Sequence, residues 1–157
     1  MEITDYTDLI TLERAKTYLR IDDGMNEDDE EIYSMIRAAF TFIERYTNHI
    51  FGNREFSVYN DSYCSQWIKV YKYPVNSYLP ADTENKRSGL YTSFNVSTDV
   101  NFTYKAGYIN VGDVPDDFIQ AALQMLKVWY FESEKQANST LIPISVTQVL
   151  DTYRTFV

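Results

Sequence analysis

Apolar positions along the chain change period twice. Between residues 12 and 20 they fall at Leu12, Ala15 and Leu19, the spacing of one helical face. Thr11 stands in front as a natural N-cap, and Gly24, after Ile21-Asp22-Asp23, supplies the break. From 27 to 48 the helical spacing returns, with Ile32, Met35, Ile36, Ala39, Ile43 and Tyr46 on one side. Asn26 or Asp28 can cap this helix, acidic residues fill its first turn, and His49-Ile50-Phe51-Gly52 ends it. Residues 54 to 108 then alternate with a period of two, at 55–59, at 67–73 up to Pro74, at 94–97 and at 100–104. Turn signals lie at 60–62 and a polar loop spans 82–89. Helical spacing resumes at 115–136, with Pro115 at the first helical position, and again at 146–155. Ser145-Val146-Thr147-Gln148 fits a capping box for that last helix, which turns Val146, Val149, Leu150 and Tyr153 inward.

The pattern predicts an α+β fold. About four helices form a bundle, and an antiparallel β module of short, polar-faced strands projects from it. Leu19, Ile36, Ala39, Ile43, Ile119, Ala122, Met125, Trp129 and Leu150 are the expected core. Length adds that 157 residues make a single domain, with a helical part at 9–50 and 112–157 and a β insert at about 54–108. The acidic N-terminus lacks the apolar stretch of a signal peptide, and no apolar run approaches the roughly 18 residues of a membrane span. A soluble protein with no membrane partner is expected. The net charge of −9 argues against adhesion to phosphate backbones, since the longest basic cluster is Lys86-Arg87. The 14 Tyr, 9 Phe and 2 Trp exceed what a core of this size buries, and tyrosine excess suits interfaces.

Candidate chemistry is sparse. Seven carboxylates crowd residues 22–31, yet with Gly24 as the sixth position of a calcium loop the first position would be Leu19, so that motif fails. The run reads as the acidic start of a helix with a solvated loop before it. The lone histidine, His49, sits at a helix end, where the dipole favours a proton; its alternative is a dyad with the lone cysteine, Cys64. The five glycines form no phosphate-cradling spacing. Gly107, inside Tyr104-Lys105-Ala106-Gly107-Tyr108, is expected in a turn conformation that a side chain would strain. No enzyme activity, metal or cofactor is expected.

The ordered set of motifs is more specific than any one of them. Leu9-Ile10-Thr11-Leu12-Glu13-Arg14-Ala15-Lys16-Thr17-Tyr18-Leu19-Arg20-Ile21-Asp22 precedes an acidic stretch and a long helix ending Ile43-Glu44-Arg45-Tyr46-Thr47. Tyr104-Lys105-Ala106-Gly107-Tyr108, Val114-Pro115, Ile119-Gln120-Ala121-Ala122 and Val149-Leu150-Asp151-Thr152-Tyr153-Arg154 follow. This order resembles the head–tail connector proteins of tailed phages, also called adaptor or head-completion proteins. The strand segment between Tyr46 and Tyr104 is longer and more aromatic here than in many of them. The resemblance implies a structural protein of the virion, put together in the host cytoplasm. Its copies form a ring, expected as a dodecamer, between the portal protein and the tail or neck proteins. Duplex DNA passes through without tight binding. Another neck part, such as a tail terminator, and a small metal-dependent enzyme using the acidic run are the alternatives. The candidate partner-interface residues are Trp67, Tyr71, Tyr73, Tyr153 and Arg154.

Overall fold

Helix α1 spans Leu12–Leu19 and starts where expected: Thr11 Oγ1 accepts from the Arg14 N–H at 3.3 Å. It stops earlier than Gly24. Arg20 takes a left-handed φ of 61°, and its N–H turns back to Lys16 and Thr17 carbonyls. Helix α2 covers Asp29–Thr47 and ends at Asn48, also left-handed, a conformation asparagine tolerates. Asp28 occupies the α2 cap position without capping it, because its carboxylate accepts from the Tyr130 hydroxyl at 2.7 Å. The computed structural model describes residues 1–154 except 23, 62, 89–90, 98–100 and 134–141. The expected helix extensions over 134–136 and at residue 155 lie outside the described residues, while at 152–154 the last helix has already ended in a turn, its Thr152 and Tyr153 N–H groups donating three residues back to Val149 and Leu150.

Helix α3, Asp116–Ser133, packs along α2, and Pro115 stands immediately before it with its carbonyl accepting from Phe118. Ile32, Ile36, Phe40 and Ile43 of α2 meet Phe118, Ala122, Met125 and Leu126 of α3 in one apolar cluster. Ala15 and Leu19 of α1 join them. So do Val146 and Leu150 of α4, which spans Ile144–Asp151. Every expected core residue is buried apart from Trp129, which is half-buried at the edge. The predicted capping box is absent. α4 begins at Ile144 after Pro143, and Ser145 bonds Gln124 Oε1 of α3 instead. Val149, expected inward, is exposed; an eight-residue helix docked through Val146 and Leu150 leaves it on the outer side.

Six strands lie between α2 and α3: β1 Arg54–Tyr59, β2 Gln66–Val70, β3 Val75–Leu79, β4 Asn85–Arg87, β5 Thr92–Val96 and β6 Asn101–Ala106. They form two three-stranded antiparallel sheets, β1-β6-β3 and β2-β5-β4. The strands are polar on their outer faces as expected, and on their inner faces they enclose a core of their own. Val70, Phe94, Val96, Phe102, Tyr104 and Ala106 make a second apolar core, with Phe94 and Phe102 rings 4.7 Å apart across the sheets. β4 falls inside the segment expected to be a loop. Its Asn-Lys-Arg sequence has no apolar alternation, and β5 holds it as an edge strand. The strand expected to reach Tyr73 stops at Val70, and β3 follows Pro74.

A short backbone ladder joins module to helices. Ile50 N–H donates to Tyr73 O (2.9 Å), Tyr108 N–H to Ile50 O (2.9 Å) and Gly52 N–H to Tyr108 O (3.0 Å). The N-terminus continues it, with Ile3 N–H donating to Ile109 O at 2.8 Å. Gly107 has the positive φ expected of it, 130°, and its N–H reaches Pro74 O at 2.8 Å. Among the described residues no helix is long and apolar enough to cross a membrane.

Candidate functional site

The junction is lined by aromatic rings. His49, just past the end of α2, is ringed by Tyr73 (4.9 Å between centroids), Phe118 (5.1 Å), Tyr153 (5.7 Å) and Tyr108 (5.8 Å). Its Nδ1 lies 2.9 Å from the Tyr108 hydroxyl, and the Tyr153 main chain provides a second hydrogen bond. A neutral imidazole satisfies both, with Nδ1 accepting from Tyr108 and the other nitrogen donating to the Tyr153 carbonyl. The helix-end dipole was expected to favour a proton; burial overrides it and pulls the His49 pKa down to about 4. Burial likewise pushes Tyr108 up, with Tyr73 and Tyr153 adding to it. Cys64 is exposed in the β1–β2 loop, whereas His49 is buried.

His49 makes acid sensitivity a property of the fold. Below pH 6.5 the unfolded chain takes up a proton that the folded chain refuses until about pH 4. Stability therefore falls as pH drops through that window and then levels off. A shift of this size corresponds to roughly 3 kcal/mol. Urea unfolding at pH 7 and pH 4.5 measures it; His49→Gln, which cannot titrate, should lose that part of the slope.

The acidic run has an internal counter-ion. Lys16 is buried on α1, and its Nζ reaches Met25 O (2.7 Å), Asn26 Oδ1 (3.1 Å) and Asp29 Oδ1 (2.5 Å). The loop before α2, expected to be solvated, thus wraps a buried lysine. Asp28 and Asp29 have partners within the chain, Tyr130 and Lys16, whereas Asp22, Glu27, Glu30 and Glu31 face solvent. Among the described residues no three His, Cys, Asp or Glu side chains are gathered where they could hold a metal ion.

The five candidate interface residues separate into two places. Tyr73 (39% exposed) and Tyr153 share the His49 cluster; the Tyr153 hydroxyl donates to Asp117 Oδ2 at 2.7 Å, a bond that raises its pKa. Arg154 lies beside them, its guanidinium 4.7 Å over the Tyr46 ring, while Tyr46 donates to Asp151. Trp67 and Tyr71 are elsewhere, on the outer face of the β2-β5-β4 sheet. Trp67 is 38% exposed with Lys86 Nζ 4.3 Å over its ring, and Tyr71 packs on Tyr91, which carries Lys69 Nζ at 4.8 Å. Sequence reading missed both lysines. The period of two puts Lys69 on the face of Trp67 and Tyr71, but Lys86 is brought there only by β4.

Solved structures of similar fold include chains of gene transfer agent (GTA) particles. The chain superposes on one in "Neck of empty GTA particle computed with C6 symmetry" with a TM-score of 0.71 at 16% identity, covering 99% of this chain and 95% of that one. "Virion of native gene transfer agent (GTA) particle" gives 0.72 at 15%, again over 99% and 95%. "Neck of native GTA particle computed with C12 symmetry" gives 0.67 at 15%, over 99% and 94%. No curated protein matches by sequence. At these identities the likeness establishes the fold. The sequence itself matches the phage gp6-like head-tail connector proteins over residues 9–156, nearly its whole length, with α1 and α4 and the module between them all inside the match, and the chain belongs to that family.

Proposed function

We propose that this chain is a non-enzymatic subunit of the virion neck, acting as one connector domain. Copies close into a ring between the portal protein and the tail, and the ring continues the channel through which duplex DNA passes. The observation that carries the reading is the family match over residues 9–156, joined to a fold shared with chains from necks computed with C6 and C12 symmetry. A closed ring repeats one heterologous contact, so each copy presents two different surfaces. Trp67 and Tyr71 on the module, and Tyr73, Tyr153 and Arg154 at the junction, supply exposed and half-buried aromatic groups and a basic group for contacts with neighbours, portal and tail. Assembly takes place in the host cytoplasm.

Charge fits a conduit. Twelve copies at −9 each carry on the order of −100, which lets DNA slide rather than adhere. Negative-stain imaging of the purified chain with its portal protein should show rings capping the portal. A titration of labelled duplex at roughly 50 and 150 mM salt should show no binding by the isolated subunit at the higher salt. Absence of rings on portals, or micromolar duplex affinity at 150 mM, would overturn the reading.

A further inference from the structure

The net negative charge is unevenly placed. Residues 54–108 hold six of the fourteen Lys and Arg but only five of the twenty-three Asp and Glu, so the module is close to neutral and the helical parts are strongly acidic. Within the module, strand register gathers positive charge on one surface. Lys69 of β2 and Lys86 of β4 both oppose Ser93 of the central strand β5, forming a row across the outer face of the sheet. Each lies over an aromatic ring, Lys86 on Trp67 and Lys69 on Tyr91. Neither has a carboxylate partner among the described residues. Glu84 lies at the rim, where Asn95 donates to it at 3.4 Å. An exposed tryptophan flanked by unpaired lysines is the composition of a contact surface for an acidic and partly apolar partner.

The chain carries such a partner surface itself. The loop leading into α2 exposes Met25 (62%) between the solvent-facing carboxylates Asp22, Glu27, Glu30 and Glu31. Lys16 holds this loop in place from beneath through Met25 O, Asn26 and Asp29. A methionine side chain suits the aromatic floor of the sheet, and the carboxylates suit its lysines. We infer that the outer face of the β2-β5-β4 sheet receives the acidic loop and first turn of α2 from a second copy of the chain. This rests on the ring reading above and names the contact that repeats around the ring. Duplex DNA is the less suited occupant: two lysines beside a rim carboxylate, in a chain of charge −9, give little counterion release.

Charge exchange tests the pairing. One variant carries Lys69→Glu and Lys86→Glu, the other Glu27→Lys, Glu30→Lys and Glu31→Lys. Circular dichroism and thermal melting establish that each is folded, since every altered side chain is exposed. Sedimentation over a concentration series then reads self-association at roughly 50 mM salt, where charge contacts are strongest. The wild type should associate, and each variant alone should weaken by more than about tenfold. Mixing the two variants should restore association, because the acidic sheet of one then meets the basic loop of the other. Variants that associate like the wild type would overturn this contact and leave the ring reading standing. Wild type and mixture that both stay monomeric at every concentration would also overturn it, and rings seen on portals would still support the broader reading. Loss of duplex retention with unchanged association would assign the face to nucleic acid and overturn the proposal as well.

Discussion

Gly107→Ala should be the most damaging single methyl group in this protein. A Cβ built at Gly107 falls 1.9 Å from the Gly52 carbonyl oxygen and 3.1 Å from the Ile50 side chain. The 1.9 Å clash is with backbone, which has no rotamer to change. The positive φ of 130° disfavours a side chain there even without the clash. Relief requires the ladder between Ile50, Gly52 and Tyr108 to move, and that ladder is where the sheets meet the helices. A loss of about 4–5 kcal/mol is expected, at the severe end for one substitution. Thermal melting should show it as a drop on the order of 10 °C. Gly112→Ala is the control. It has nothing within 4 Å and an ordinary φ, so it should stay within about 0.5 kcal/mol of the parent.

Phe118→Ala should cost about 3–5 kcal/mol, the range for emptying a fully buried aromatic site. Phe118 is wholly buried and packs on Tyr153 at 4.6 Å, His49 at 5.1 Å and Phe51 at 5.5 Å. These neighbours come from two separate stretches of chain, 49–51 and the C-terminal segment, so the cavity cannot be closed by moving one of them. Denaturant unfolding gives the loss. A second readout follows from the imidazole: with the ring removed, water approaches His49 and its depressed pKa should rise back towards 6.5. An NMR titration of the His49 ring protons detects this. A pKa that stays near 4 would mean that Phe118 is not what keeps water out.

The helices were legible because a period of 3.6 with capping residues is local information. Thr11 capped α1, and Ile36, Ala39, Ile43, Ala122 and Met125 are core as their spacing implied. Gly107 was legible for a similar reason, since a glycine closing an aromatic strand has few uses other than positive φ. What escaped depends on contacts between distant residues. β3 has no regular alternation and β4 is polar throughout, and both are strands because β6 and β5 pair with them. Ser145 looked like a cap until Gln124, 21 residues earlier, took its hydroxyl. Lys16 has the sequence of a solvent lysine and becomes buried only because the loop before α2 closes over it. The lysine row of the outer sheet was invisible for the same cause, since 17 residues and an unforeseen strand separate its members.

The ladder at the junction has a consequence for how this architecture can vary. Gly52 and Tyr108 hydrogen-bond to one another, so the module begins and ends at adjacent points tied together through main-chain atoms. The entropy of closing the excursion from residue 53 to residue 107 is settled there, and it grows only as the logarithm of the number of residues enclosed. The two apolar clusters are also separate, one filled by helices and one by sheets. The strand region is therefore a cassette. Its length and side chains can change with little disturbance to the helix packing, because the apolar core it fills is its own.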